Sequence, residues 1–271
     1  MSDAMISFVV PAFNEEALIA ACLHSIMAEV SRLGCAVEII VVDNNSTDRT
    51  REIVASIPGV SIVDEPQRGL VQARRAGCLA ARGRLIANID ADTMIPPGWL
   101  DTVFAAFDRH PDLAALSGPF VHYDLPKSRR IVAAIFYRFA FVGYLLVRFV
   151  FRAGSMMQGG NFVVRKTALD AADAFNSNFS FYGEDTELAR RLSKVGAVKF
   201  SFALPAFSSG RRLAAEGLFR VAFQYSMNFL WTLLFKQPFT LDWLDFRHPT
   251  GATGTASLAS ATPAPRDLPE P

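Results

Sequence analysis

The feature that most restricts the fold is a rhythm: short apolar runs alternate with stretches of helical periodicity. "MISFVV" (Met5 to Val10), "VEIIVV" (Val37 to Val42), "VSIV" (Val60 to Val63) and "RLIANI" (Arg84 to Ile89) read as strands. "NEEALIAACLHSIMAEV", "NNSTDRTREIVASI" and "GLVQARRAGCLAAR" lie between them, and "PPGWLDTVFAAFDRH" follows the fourth. Strands this apolar need cover on both faces, and strand–helix alternation implies right-handed crossovers. The expected fold class is therefore α/β, a mainly parallel sheet between helical layers. Asn14 is the expected N-cap of the first helix and Ser46 or Thr47 that of the second, and proline opens the fourth.

The 271 residues are 51% hydrophobic, enough for one large α/β domain or two small ones. A net charge of +1 argues against a nucleic-acid surface, so no nucleic-acid partner is expected. Cys22, Cys35 and Cys78 sit in apolar segments without CxxC spacing, which points to buried thiols and a reducing compartment. No leader sequence is recognisable before the first strand. The end, residues 249–271, is small and proline-rich, as disordered tails are.

Ligands of parallel sheets bind beyond the carboxyl ends of the strands. Glu15 follows the first strand, Asp43 the second, and Asp90 and Asp92 the fourth. Each alone reads equally as a helix-start acid or a turn former. Gathered at one rim they repel one another unless a cation neutralises them. Oxygen-only ligands suit Mg2+ or Mn2+, ions that are completed by substrate phosphates. A dehydrogenase would need a glycine-rich turn after the first strand, and a P-loop enzyme a GxxxxGK. "PAFNEE" has no glycine, and no such P-loop occurs.

"FVVPAFNEE", "IIVVDNNSTDRT", "GLVQARRAGCLAARGRLIANIDADT" and "GEDTELARRL", in this order and spacing, resemble family 2 glycosyltransferases of the GT-A fold. The resemblance implies a mixed, mainly parallel sheet sandwiched by helices. It places Pro11, Glu15 and Asp43 at the nucleoside of a sugar-nucleotide donor, with Arg74 near the nucleotide. Arg75 stands where the family usually has Asn. Asp90 and Asp92 match the metal-binding D-x-D. Residues 1–118 would form the donor half and 119–248 the acceptor half of one domain.

Glu184 and Asp185 open a helix in "FYGEDTELARRL", where acids are also favoured simply by the helix dipole. By resemblance they match the family's ED motif, with Asp185 the general base and Glu184 orienting the acceptor. A sugar hydroxyl is a poor nucleophile, and a positioned carboxylate can take its proton. Gly159 and Gly160 permit either a tight bend or close approach of an acceptor, with Asn161 as the polar member of that loop. In "SSGRRL", Arg211 or Arg212 would neutralise a diphosphate or form a solvated turn.

"RIVAAIFYRFAFVGYLLVRFVFR" (Arg130 to Arg152) is long enough to span a bilayer. A span would bury Arg138 in hydrocarbon and put the two acidic pairs on opposite sides. Arg130, Arg138, Arg148 and Arg152 instead share one helical face, which suits the membrane interface. In "EGLFRVAFQYSMNFLWTLLFK" every fourth residue from Glu216 to Lys236 is polar. Packing of these helices on each other or in a dimer seam is the competing reading.

The expected function is an inverting, metal-dependent hexosyltransferase using a nucleotide-sugar donor and a glycan or lipid-linked acceptor. Its expected place is cytoplasmic, peripheral on the inner face of the cell membrane. A nucleotidyltransferase commonly carries a glycine-rich basic loop after the first strand, which is missing here. Asp92 and Asp185 together argue against the alternative, a soluble, non-catalytic sugar-nucleotide-binding protein.

Overall fold

The computed structural model describes residues 5–150, 156–173 and 184–235. Its first part runs β1 (Ile6–Ala12), α1 (Ile19–Leu33), β2 (Val37–Asp43), α2 (Thr50–Ala55), β3 (Val60–Asp64), α3 (Leu70–Ala80) and β4 (Leu85–Ile89). Then come β5 (Thr93–Met94), α4 (Trp99–Arg109), β6 (Leu113–Ser117), β7 (Phe120–His122), α5 (Lys127–Val150), β8 (Asn161–Arg165) and α6 (Lys166–Ala171). The remainder is α7 (Glu184–Leu192), β9 (Ala197–Phe200), β10 (Ala206–Ser208), α8 (Arg211–Glu216) and α9 (Leu218–Phe235).

Among the described residues the main sheet has seven strands in the order β3-β2-β1-β4-β8-β6-β9. The pairs from β3 to β4 are parallel, and β8 runs antiparallel to both its neighbours. Alternate side chains of β1 enter different cores, as the pleat requires. Ile6, Phe8 and Val10 join Leu23, Ile26, Trp99 and Val103 on one face. Val9 joins Ala73, Cys78, Leu188 and Leu192 on the other. A second sheet, β5-β10-β7, ties the residues after the D-x-D to the segment before α8. The mainly parallel α/β sandwich read from the sequence is the architecture observed.

Several local expectations are corrected. Asn14 does not cap α1, which begins at Ile19 with Leu18 at the N-cap position. Asn14 instead turns the chain with φ 52°, a conformation asparagine tolerates, and its Oδ1 accepts the Thr47 N–H at 2.8 Å. Neither Ser46 nor Thr47 caps α2, where Arg49 holds that position. The polar row of α9 runs from the exposed Arg220 to the buried Asn228. Asn228 is buried and donates to the Gln224 carbonyl at 2.8 Å, whereas Phe223 is 64% exposed.

Helix α5 packs against α9. Tyr137, Phe141 and Tyr144 turn inward, with Tyr137 and Phe141 against Phe200. Ile131, Val132, Ile135, Phe139 and Val142 face outward. The exposed face is therefore chiefly apolar, with Arg138 beside it. No helix among the described residues is long and apolar enough to cross a membrane. Arg152, Lys236 and the tail 249–271 lie outside the described residues, as does the Arg148 side chain. The three cysteines are free, Cys22 and Cys78 buried and Cys35 half-buried.

Candidate active site

Parallel pairing brings the ends of β1, β2 and β4 to one rim of the sheet. Pro11 and Ala12 lie beside Val42 and Asp43 in register. Beyond these ends the "NEE" and "NNSTDRT" segments form one structure through hydrogen bonds. The Asn14 N–H donates to Ser46 Oγ at 3.1 Å, Glu15 N–H to Thr50 Oγ1 at 2.8 Å, and Glu16 N–H to Asp48 Oδ2 at 3.1 Å. Asp43 is buried, and its Oδ1 accepts the Ser46 N–H at 3.2 Å. The Arg68 guanidinium lies 3.8 Å over the Phe13 ring at the same rim. Pro11, Glu15 and Asp43 thus occupy one edge, as expected.

Asp90 and Asp92 leave β4 at this rim. Burial pushes the Asp92 carboxyl up to about 7, opposed by Arg211 and reinforced by the charges of Asp90 and Glu15. Arg211 Nη2 donates to Glu15 Oε1 at 2.5 Å and to Asp92 Oδ2 at 3.2 Å. In the sequence Arg211 is only one of two options. What selects it is the pairing of β10 with β5, which places it beside Asp92. Tyr123 and Asp124, in the polar segment "HYDLPKSRR", belong here too. Burial and the charges of Asp124 and Asp92 push the Tyr123 phenol up to about 12.

The second acidic pair joins the first through Arg74. This arginine, 2% exposed, donates from Nη1 to both Glu184 oxygens at 2.8 and 3.0 Å. Its Nη2 donates to Asp90 Oδ1 at 2.9 Å. The resemblance implies that Arg74 lies near the nucleotide and that Glu184 orients an acceptor; in the structure the two side chains are joined to each other inside the protein. Asp185 accepts the N–H of Thr186 through Oδ1 at 2.8 Å. Burial and the neighbouring Glu184 charge push the Asp185 carboxyl up to about 6.

Gly159 and Gly160 lie between the pairs. A Cβ on Gly160 would stand 2.0 Å from Asp90 Oδ2, so no side chain fits. One on Gly159 would meet Arg74 Nη1 at 3.3 Å and Asp185 Oδ2 at 3.6 Å. Asn161 is a correction to the acceptor-loop expectation: it is wholly buried in β8. It donates to the Leu204 carbonyl at 2.8 Å and accepts from the Trp99 indole at 3.2 Å. With no exposed surface and both ends of the amide engaged within the protein, this side chain serves the fold.

A divalent ion suits the donor set at the rim. Among the described residues no three His, Cys, Asp or Glu side chains form a ready-made metal cluster. Asp92, with Asp90 nearby, offers the one or two hard carboxylates that suit Mg2+ or Mn2+ when phosphates complete the shell. The residues fit an ion that shares its coordination with a ligand.

Comparisons with known proteins bear on the family and the fold. The family model described as glycosyl transferase family 2 matches residues 7–172. An uncharacterized glycosyltransferase of Mycobacterium bovis is 37% identical over 113 residues, 42% of this chain and 48% of that protein. A dolichyl-phosphate beta-glucosyltransferase of Trichomonas vaginalis is 38% identical over 101 residues, 34% of this chain and 30% of that one. The regions matched to these relatives are thus half or less of the relatives' own length. A solved mannosyltransferase from Pyrobaculum calidifontis, in complex with GDP-Man and Mn2+, superposes with a TM-score of 0.60. It is 18% identical, over 84% of this chain and 63% of that one, a likeness of fold. With most of its strands and both D-x-D acids inside the matched region, this chain belongs to glycosyl transferase family 2.

Proposed function

We propose that the protein is an inverting glycosyltransferase that moves a hexosyl group from a nucleotide-diphosphate sugar to an acceptor hydroxyl. The observation that carries this reading is the position of two consecutive glycines. Gly160 abuts Asp90 and Gly159 abuts Asp185, so the D-x-D and the ED pair border one space. Pro11, Glu15 and Asp43 would receive the nucleoside at the β1–β2 end. Asp92 and Asp90 would hold Mg2+ or Mn2+, which when bound supplies charge stabilisation to the departing diphosphate. Asp185 would take the acceptor proton as the new bond forms, and direct displacement inverts the anomeric centre. Gly159 and Gly160 would let the acceptor approach backbone, whereas Asn161 supports them from beneath.

Residues 1–118 supply the donor contacts and residues 119–248 the acceptor side. A lipid-linked acceptor is favoured by the apolar outer face of α5 and by the dolichyl phosphate named for the Trichomonas relative. That face would lie at the membrane interface on the cytoplasmic side. A panel of nucleotide sugars, each with Mn2+, tests the donor reading by thermal shift. One donor should raise the melting temperature in the unmodified chain and fail to do so in Asp92→Asn. No stabilisation by any donor of the panel would sink the reading.

A further inference from the structure

We propose that Arg211 is the built-in counter-cation of the acidic rim, and that a divalent ion entering with a nucleotide diphosphate displaces it. The proposal rests on the metal reading above. The path of the chain delivers Arg211 to the acids, unlike a loose surface side chain. Ser208 pairs with Thr93 across the β10–β5 ladder, and the Ser209 N–H donates to the Asp92 carbonyl at 3.2 Å. Asp124 fastens the same corner, accepting from Ser209 Oγ at 2.7 Å and from the Gly210 N–H at 2.5 Å. The next residue is Arg211. Its guanidinium bridges Glu15 and Asp92, whose side chains are only 4% and 17% exposed, while its own side chain is 30% exposed.

Carboxylates crowded in this way need positive charge, and the chain supplies one. The same Asp92 oxygen cannot serve a guanidinium and a divalent ion together without strong repulsion between the cations. An ion arriving alone therefore has to expel Arg211 into solvent with no anion to receive it. An ion arriving with a diphosphate brings that anion, and arginine binds phosphate through its planar fork. Ion affinity should accordingly be weak alone and strong with nucleotide, which couples ion and donor entry.

The test is Mn2+ binding followed by the paramagnetic signal of the free ion, with folding checked by circular dichroism. Without nucleotide, Arg211→Ala should bind Mn2+ about tenfold more tightly than the unmodified chain, and Arg211→Lys should fall between. Addition of UDP or GDP should narrow that difference, because the unmodified chain alone gains the arginine–phosphate contact. Equal or weaker Mn2+ binding by Arg211→Ala without nucleotide would overturn the proposal and leave the metal reading standing. Absence of Mn2+ binding in all three proteins, with or without either nucleotide, would overturn both.

Discussion

Replacing Arg74 with methionine removes a cation shared by the two acidic pairs, and its cost follows from burial. Glu184 is 7% exposed and receives two hydrogen bonds from Arg74, so the substitution leaves a carboxylate inside the protein with its counter-ion gone. Removing one partner of a buried ion pair costs about 3–5 kcal/mol. Asp90, with a third of its side chain exposed, is partly rescued by water, which favours the lower end, about 3 kcal/mol. Urea unfolding measures this. The loss should shrink in Arg74→Met/Glu184→Gln, which removes the stranded charge as well. A loss under about 1 kcal/mol, or one that the second substitution leaves unchanged, would refute the electrostatic account of the triad.

Asp185→Asn should keep donor-induced thermal stabilisation and lose sugar transfer, measured with the donor that the panel selects. Transfer by the unmodified chain should rise with pH through about 6 and level off above, as the base loses its proton. The same group contributes to stability below its unfolded value near 3.8, and that contribution is lost as pH rises through about 6, because the folded chain holds the proton longer. Asn161→Ala should destabilise the chain by about 2–3 kcal/mol in urea, since it strands the Leu204 carbonyl and the Trp99 indole. Flotation with anionic vesicles should carry the unmodified chain, and Ile135→Glu/Phe139→Glu should cut the bound fraction several-fold; equal flotation would remove α5 from the interface.

The strands are legible in the sequence because each is a local apolar run, and Ile6 to Ala12 buries every residue. The acids at their ends become legible once a parallel sheet is inferred, because topology alone sends Asp43 and Asp90 to one rim. The caps of α1 and α2 are not, since Asn14 and Glu15 find their partners at Thr47 and Thr50, a helix and a strand further along the chain and outside any local pattern. The partner of Arg74 is equally hidden: its bond to Glu184 spans 110 residues. The polar row of α9 does not by itself say which way it faces, because one polar residue per four looks alike whether it meets water, as Arg220 does, or is buried, as Asn228 is.

Strand β8 runs against its neighbours, and this decides which end of it meets the acids. A parallel strand would reach the rim as it finished; β8 sets out from there, with Asn161 beside Ile89. The two glycines therefore come immediately before β8 at the rim itself, so a strand that enters where the others leave is what floors the space between Asp185 and the D-x-D.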